Sequence, residues 1–292
     1  MKLHRLLVLA AACVAAPLAT AGAATDGKGQ AIVADKALYA AVNGEWRSEK
    51  DKARDQYRHP LESLTFWGLK PGMTILEVQP GGGWWTEILA PYAKLTGGKY
   101  YSTGADLGNP ELSEASRKAR ADFAARWAAK PDLYGTVDFV NWGPKSAPMP
   151  ANTFDLILTA RSVHNWMSTP GWADKAFKDF YGALKPGGIL AVEEHRANPG
   201  PQDPKAESGY MTEAYVIGLA EKAGFKLLAR SEINANPKDT KDHPFGVWTL
   251  PPNLRSTPYG SSPAEDPKFD HSKYAAIGES DRMTLRFMKP RK

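Results

Sequence analysis

The sequence predicts an α/β fold, a seven-stranded and mostly parallel sheet with helices on both faces and a helical cap ahead of it. Three observations predict it. Short apolar runs alternate with amphipathic runs along the middle of the chain, as strands alternate with crossover helices. The run FDLILTA, residues 154–160, is apolar without alternation, as in a strand covered on both faces. The stretch ILEVQPGGGWWTEIL, residues 75–89, reads as strand, glycine turn and helix start.

The elements follow in order. KALYAAVNGEW (36–46) is an alanine-rich helix. RSEKDKARDQYRHP (47–60) is charged and ends at Pro60, which disfavours helix at His59. LESLTFWGL (61–69) resumes an apolar helical pattern. MTILEV (73–78) is a strand, WWTEILAPYA (84–93) a helix and KYYSTG (99–104) a strand. In residues 110–130, Ala115, Ala119, Phe123 and Trp127 recur every four positions, which predicts a buried helix face. TVDFV (136–140) and FDLILTA are strands. WADKAFKDFYGAL (172–184) gathers Ala173, Ala176, Phe177, Phe180, Tyr181 and Leu184 on one helix face. LKPGG breaks that helix before the strand ILAVEE (189–194). A helix over 210–225, a strand over 226–233 and a last strand, DRMTLRFMKP, complete the pattern. Residues 234–280 are rich in Pro, Gly, Ser and charge, and read as a long surface excursion or lid.

The first residues, MKLHRLLVLAAACVAAPLATAGAA, fit a signal peptide over 1–24. Lys2 and Arg5 form the basic start, Leu6 to Leu18 is apolar but too short to span a bilayer, and Ala21-Gly22-Ala23 is a small-x-small cleavage site. The expectation is an exported protein, periplasmic or secreted. Residues 25–68 then form a tether and helical cap, and 69–292 the main domain. Cys13 is the only cysteine and lies in the signal, which excludes disulfides and thiolate chemistry from the mature chain. Of 37 basic residues, removal of Lys2 and Arg5 leaves 35 against 32 acidic ones, mixed along the chain. No basic block supports nucleic-acid binding, and no membrane span remains after signal removal. Nothing in the sequence fixes the oligomeric state.

Three blocks taken together carry a family resemblance: the glycine turn, FDLILTARSVHNWM (154–167) and LKPGGILAVEEH (184–195). In this order they resemble a class I S-adenosylmethionine-dependent methyltransferase, closest to an exported bacterial group of such proteins. The resemblance covers residues 50–233 and the last strand. It implies a Rossmann-like sheet and S-adenosylmethionine as cofactor. It also implies that Gly81, Gly82 and Gly83 admit the methionine end of the cofactor, with Glu77 accepting from its ammonium group. Two departures stand out. Gln79 replaces the usual first glycine, and the ribose acid at the second strand is replaced by Thr103, with Asp106 slightly late. At the third strand Asn141 and Trp142 stand at the adenine position, where an indole offers a flat apolar face.

His164 and His195 follow neighbouring strands and are the candidate catalytic bases. Asn165 is expected to orient the His164 ring and Trp166 to wall the acceptor, while Arg58 and His59 meet an anionic substrate or the cofactor carboxylate. A metal site from His59, His164 and His195 is not read, because no HxH or HxxxH pair is present. The expected function is methyl transfer to a small molecule outside the cytoplasm. The alternative is a fold kept without chemistry, as a ligand-binding or interaction module in the periplasm; the missing ribose acid and the export signal speak for it.

Overall fold

The structure is a computed structural model that describes residues 35–291. The signal read at 1–24 and the tether at 25–33 lie outside the described residues. Four helices open the chain: α1 Lys36–Val42, α2 Glu49–Lys52, α3 Asp55–Arg58 and α4 Pro60–Trp67. Asp35 caps α1 by accepting from the Leu38 N–H at 2.8 Å, and Ser48 caps α2. His59, held before Pro60, takes a left-handed φ of 41° and separates α3 from α4.

Alternation then proceeds as β1 Thr74–Val78, α5 Thr86–Leu95, β2 Lys99–Gly104, α6 Glu114–Ala128, α7 Pro131–Tyr134 and β3 Val137–Asn141. It continues through β4 Phe154–Ala160, α8 Val163–Trp166, α9 Trp172–Ala183, β5 Leu184–His195, α10 Glu213–Ala223 and β6 Lys226–Ser231. After a 3₁₀ turn, Gly246–Thr249, and α11 Ser272–Ile277, the chain closes with β7 Arg282–Met288. The seven strands lie in the order β3-β2-β1-β4-β5-β7-β6. The first five pair in parallel, and β7 enters antiparallel between β5 and β6.

Side-chain alternation splits the core into two layers. Leu76, Val78, Ile157, Leu190 and Val192 face α9 and α10, where Phe177, Phe180, Val216 and Leu219 are buried. Ile75, Leu156, Leu158 and Ala191 face α1, α4 and α5, against Leu38, Leu64, Trp67 and Ile88. Each of these valine, leucine, isoleucine and phenylalanine side chains contributes roughly 1.5–3 kcal/mol when fully buried. Strand order reverses between β1 and β4, and a crevice opens at the carboxyl ends of strands at such a switch.

Two elements differ from their sequence patterns. On α6 only Trp127 is buried, whereas Ala119 and Phe123 line a cavity, so the repeat marks a cavity wall as well as a core face. LKPGG does not stand apart from the fifth strand: β5 begins at Leu184, with a register irregularity against β4 between Phe154 and Leu156. No helix among the described residues is long and apolar enough to cross a membrane.

Candidate functional site

A cavity of about 980 Å³ opens where β1 and β4 part. The turn after β1 forms one wall. Gln79 has φ 49°, a conformation that glycine adopts freely and other residues rarely do. Its strain is held by two contacts: its N–H donates to Thr103 Oγ1 at 2.7 Å, and its side-chain oxygen accepts from the Trp166 indole at 2.9 Å. This explains how glutamine replaces glycine there. Gly81 and Gly82 line the cavity, and a Cβ at either would meet no atom within 4 Å. Gly83 does not line it. A Cβ there would lie 2.4 Å from the Trp127 ring, so Gly83 lets α6 pack on the turn rather than admitting a ligand.

Glu77 is buried at the end of β1 and lines the cavity. Its Oε2 accepts from Thr86 Oγ1 at 2.8 Å and from the Tyr100 hydroxyl at 2.5 Å. Burial pushes its carboxyl up to about 7, against the opposing pull of those two donors and of Arg161. At the β2 exit Asp106 lines the cavity, with one oxygen accepting from the Gly108 N–H at 3.0 Å. Trp142 also lines it, and is buried with its indole N–H on Asp179 at 2.9 Å. Asn141 is exposed and accepts from Arg120, so it serves the cavity only through that arginine, which does line it.

The exits of β4 and β5 form the opposite wall, because Ala160 and Glu193 are register partners. His164 and His195 both line the cavity, with ring centroids 5.3 Å apart. His164 Nδ1 lies 2.9 Å from Glu194 Oε1. Glu194 is itself fixed by the N–H groups of Val163 (2.6 Å), His164 (3.3 Å) and His195 (2.8 Å). With a carboxylate as acceptor, Nδ1 carries the hydrogen and Nε2 keeps its lone pair. Asn165 does not orient this ring: it is exposed at the cavity rim, and Glu194 holds the ring instead. Trp166 does not wall the cavity but sits in the core against Trp142 and Phe180. His195 Nδ1 is 2.5 Å from Ser280 Oγ, and burial, then His164 and Arg161, hold its ring well below the ordinary histidine range.

Arg58 lines the cavity from α3, whereas His59 points to Asn234 at 3.2 Å and does not. The two residues, adjacent in sequence, therefore part at the left-handed turn. Val247, Trp248 and Pro251 to Asn253 roof the cavity from the 234–280 excursion, with Trp248 5.9 Å from the His164 ring. His164, Glu194 and His195 also bring three ligand-type atoms within 4.8 Å of one another, a trio without His59.

Residues 76–192 match the methyltransferase domain family. Over these residues the chain is similar to S-adenosylmethionine-dependent methyltransferase domains. It is 29% identical over 137 residues to the ubiquinone/menaquinone biosynthesis C-methyltransferase UbiE of Shewanella sediminis, 47% of either chain. The chain thus spans about half the length of the curated relatives it matches. In fold it is similar to the [4+2]-cyclase SpnF, with a TM-score of 0.51, 19% identity and coverage of 86% of this chain and 85% of that one. A candidate sarcosine dimethylglycine methyltransferase from Galdieria sulphuraria gives 0.52 at 13% identity, covering 89% and 91%. A methyltransferase domain of this class implies S-adenosylmethionine as its cofactor. The residues present fit it: the open space over Gly81 and Gly82, the uncommitted second oxygen of Glu77 and the apolar face of Trp142 all front one cavity.

Proposed function

We propose that the chain transfers a methyl group from S-adenosylmethionine to a small-molecule acceptor outside the cytoplasm. One observation carries the reading: a single cavity joins the methyltransferase glycine turn to a histidine whose ring is held by a buried glutamate. When bound, the cofactor supplies a methyl group on a sulfonium centre. Glu77 would hold its ammonium group, the Gly81-Gly82 backbone its methionine end, Asp106 its ribose hydroxyls and Trp142 its adenine. His164 Nε2 accepts the proton that the acceptor's O–H or N–H releases, and Glu194 stabilises the imidazolium that forms. His195, kept neutral beside it, adds no competing positive charge.

Calorimetry of the mature protein with S-adenosylmethionine and S-adenosylhomocysteine tests the reading. Binding is expected, with His164→Ala leaving it unchanged while lowering turnover roughly 10²- to 10⁴-fold. No heat at millimolar concentration would remove the enzyme reading in favour of a binding module. The location rests on the three-part signal at 1–24. N-terminal sequencing of the exported protein should find cleavage after Ala23 or Ala24; an intact Met1 overturns that part.

A further inference from the structure

The cations at this cavity outnumber the groups that neutralise them. Arg58 is 1% exposed and donates through Nε to Glu279, at 2.9 and 3.2 Å. Its Nη1 and Nη2 are buried and without hydrogen-bond partners among the described residues. Trp84 lies under the guanidinium, 4.7 Å from its ring centroid, which attracts the charge but leaves the Nη N–H groups without an acceptor among the described residues. Arg161, directly after β4 and three residues before His164 of α8, makes no side-chain hydrogen bond or ion pair among the described residues, and its Nε is buried. Its φ of 56° is fixed by its N–H donating to the Glu193 carbonyl at 2.7 Å. The nearby carboxylates already hold other guanidiniums, although Glu193 Oε2 is buried without a hydrogen-bond partner among the described residues. Glu279 serves Arg54 at 2.7 Å, Arg58 and Arg282 at 3.1 Å, and Glu193 serves Arg282 at 2.7 Å. Three guanidiniums thus share two carboxylates, and Arg161 pairs with neither among the described residues.

A buried guanidinium with open N–H groups is costly unless something accepts from them. Its planar fork matches a carboxylate or phosphate. The same balance argues against a metal ion at His164, Glu194 and His195. Glu194 already accepts from three backbone N–H groups and from His164, and a divalent cation would add charge to a site where cations are in excess.

We infer that Arg58 and Arg161 form an oxyanion subsite, and that the methyl acceptor is a small acid. Its carboxylate or phosphate binds there, and its O–H or N–H meets His164. The inference rests on the proposed methyl transfer for the word acceptor, but not for the subsite. The cofactor's own carboxylate shares the chemistry, so the test separates the two sources.

Inorganic phosphate is titrated calorimetrically into the mature protein, with and without saturating S-adenosylhomocysteine. Phosphate is expected to bind equally in both cases. Arg161→Gln, which breaks no side-chain hydrogen bond or ion pair among the described residues, should weaken phosphate roughly ten- to hundredfold and leave S-adenosylhomocysteine affinity unchanged. Arg161→Lys should recover part of the loss, and Arg58→Lys should weaken phosphate while keeping the charge on Glu279. Displacement of phosphate by S-adenosylhomocysteine would assign the arginines to the cofactor and overturn the acceptor assignment. Absence of phosphate binding, or Arg161→Gln without effect, would overturn the subsite. Phosphate binding without any S-adenosylhomocysteine binding would leave the subsite standing and sink the methyl-transfer reading with its acceptor.

Discussion

In the methyl-transfer reading proposed above, Glu77 would tie cofactor capture to pH. Two hydroxyls occupy one of its oxygens, and burial raises its carboxyl to about 7. A cofactor ammonium group favours the ionised form. Below about pH 7 the free protein holds a proton that must leave before that pairing forms. Affinity for S-adenosylhomocysteine should therefore weaken as pH falls, by about tenfold per unit below 7, and level off above it. Calorimetry between pH 5 and 8 reads the slope, and buffers of differing ionisation enthalpy should reveal proton release on binding. Glu77→Gln should bind more weakly at pH 8 and lose the slope. A slope that survives the substitution would place the titrating group elsewhere.

At the scale of elements, the site is the meeting of two strand exits, and that meeting was only half legible in the sequence. The apolar runs gave the strands, since burial on both faces leaves a local signature. The glycine turn and both histidines could be read for the same reason, as residues at strand ends. The partner of His164 could not. Asn165 was the sequence candidate because it is adjacent. The actual partner, Glu194, lies thirty residues on and arrives through the pairing of Ala160 with Glu193. Likewise Trp248 and Glu279 reach the cavity from a segment with no periodic pattern. Gly83 looked like its two neighbours, and only the Trp127 ring above it separates its role from theirs. The Glu194 contact makes a specific prediction. With Glu194 as acceptor, the neutral His164 ring carries its hydrogen on Nδ1, which ¹⁵N chemical shifts report directly. Glu194→Gln should abolish this tautomer preference and lower turnover roughly tenfold or more, with S-adenosylhomocysteine affinity retained. An unchanged His164 tautomer in that variant would show that Glu194 does not position the ring.

Across the whole molecule, the buried charges around the cavity set opposing pH dependences. Glu279 joins α3, through Arg54 and Arg58, to β7, through Arg282. Burial alone would raise its carboxyl, but Arg282, Arg58, Arg161 and Arg54 hold it down to about 2, from an ordinary 4.5. A depressed carboxylate contributes stability that is present above 4.5 and lost as pH falls toward 2, here about 3 kcal/mol. Glu77 acts with the opposite sign: its raised value favours folding below 4.5, and that contribution is lost as pH rises through about 7. His195, held below its ordinary 6.5, costs stability as pH falls below that value, because the unfolded chain takes up the proton first. Between about pH 4.5 and 6.5 the last two oppose each other, so the ligand-free protein should show a nearly level Tm there and a steep fall below 4.5. Scanning calorimetry of three variants separates the contributions. Glu77→Gln should make Tm fall as pH drops below 6.5, His195→Gln should make it rise over the same interval, and Glu279→Gln should lower Tm at neutral pH while flattening the acid limb. The last variant leaves three guanidiniums without their shared carboxylate, so its loss at pH 7 should reach about 3–5 kcal/mol, the cost of breaking a buried ion pair from one side. An acid limb as steep in Glu279→Gln as in the wild type would show that this residue does not couple the helical cap to the sheet.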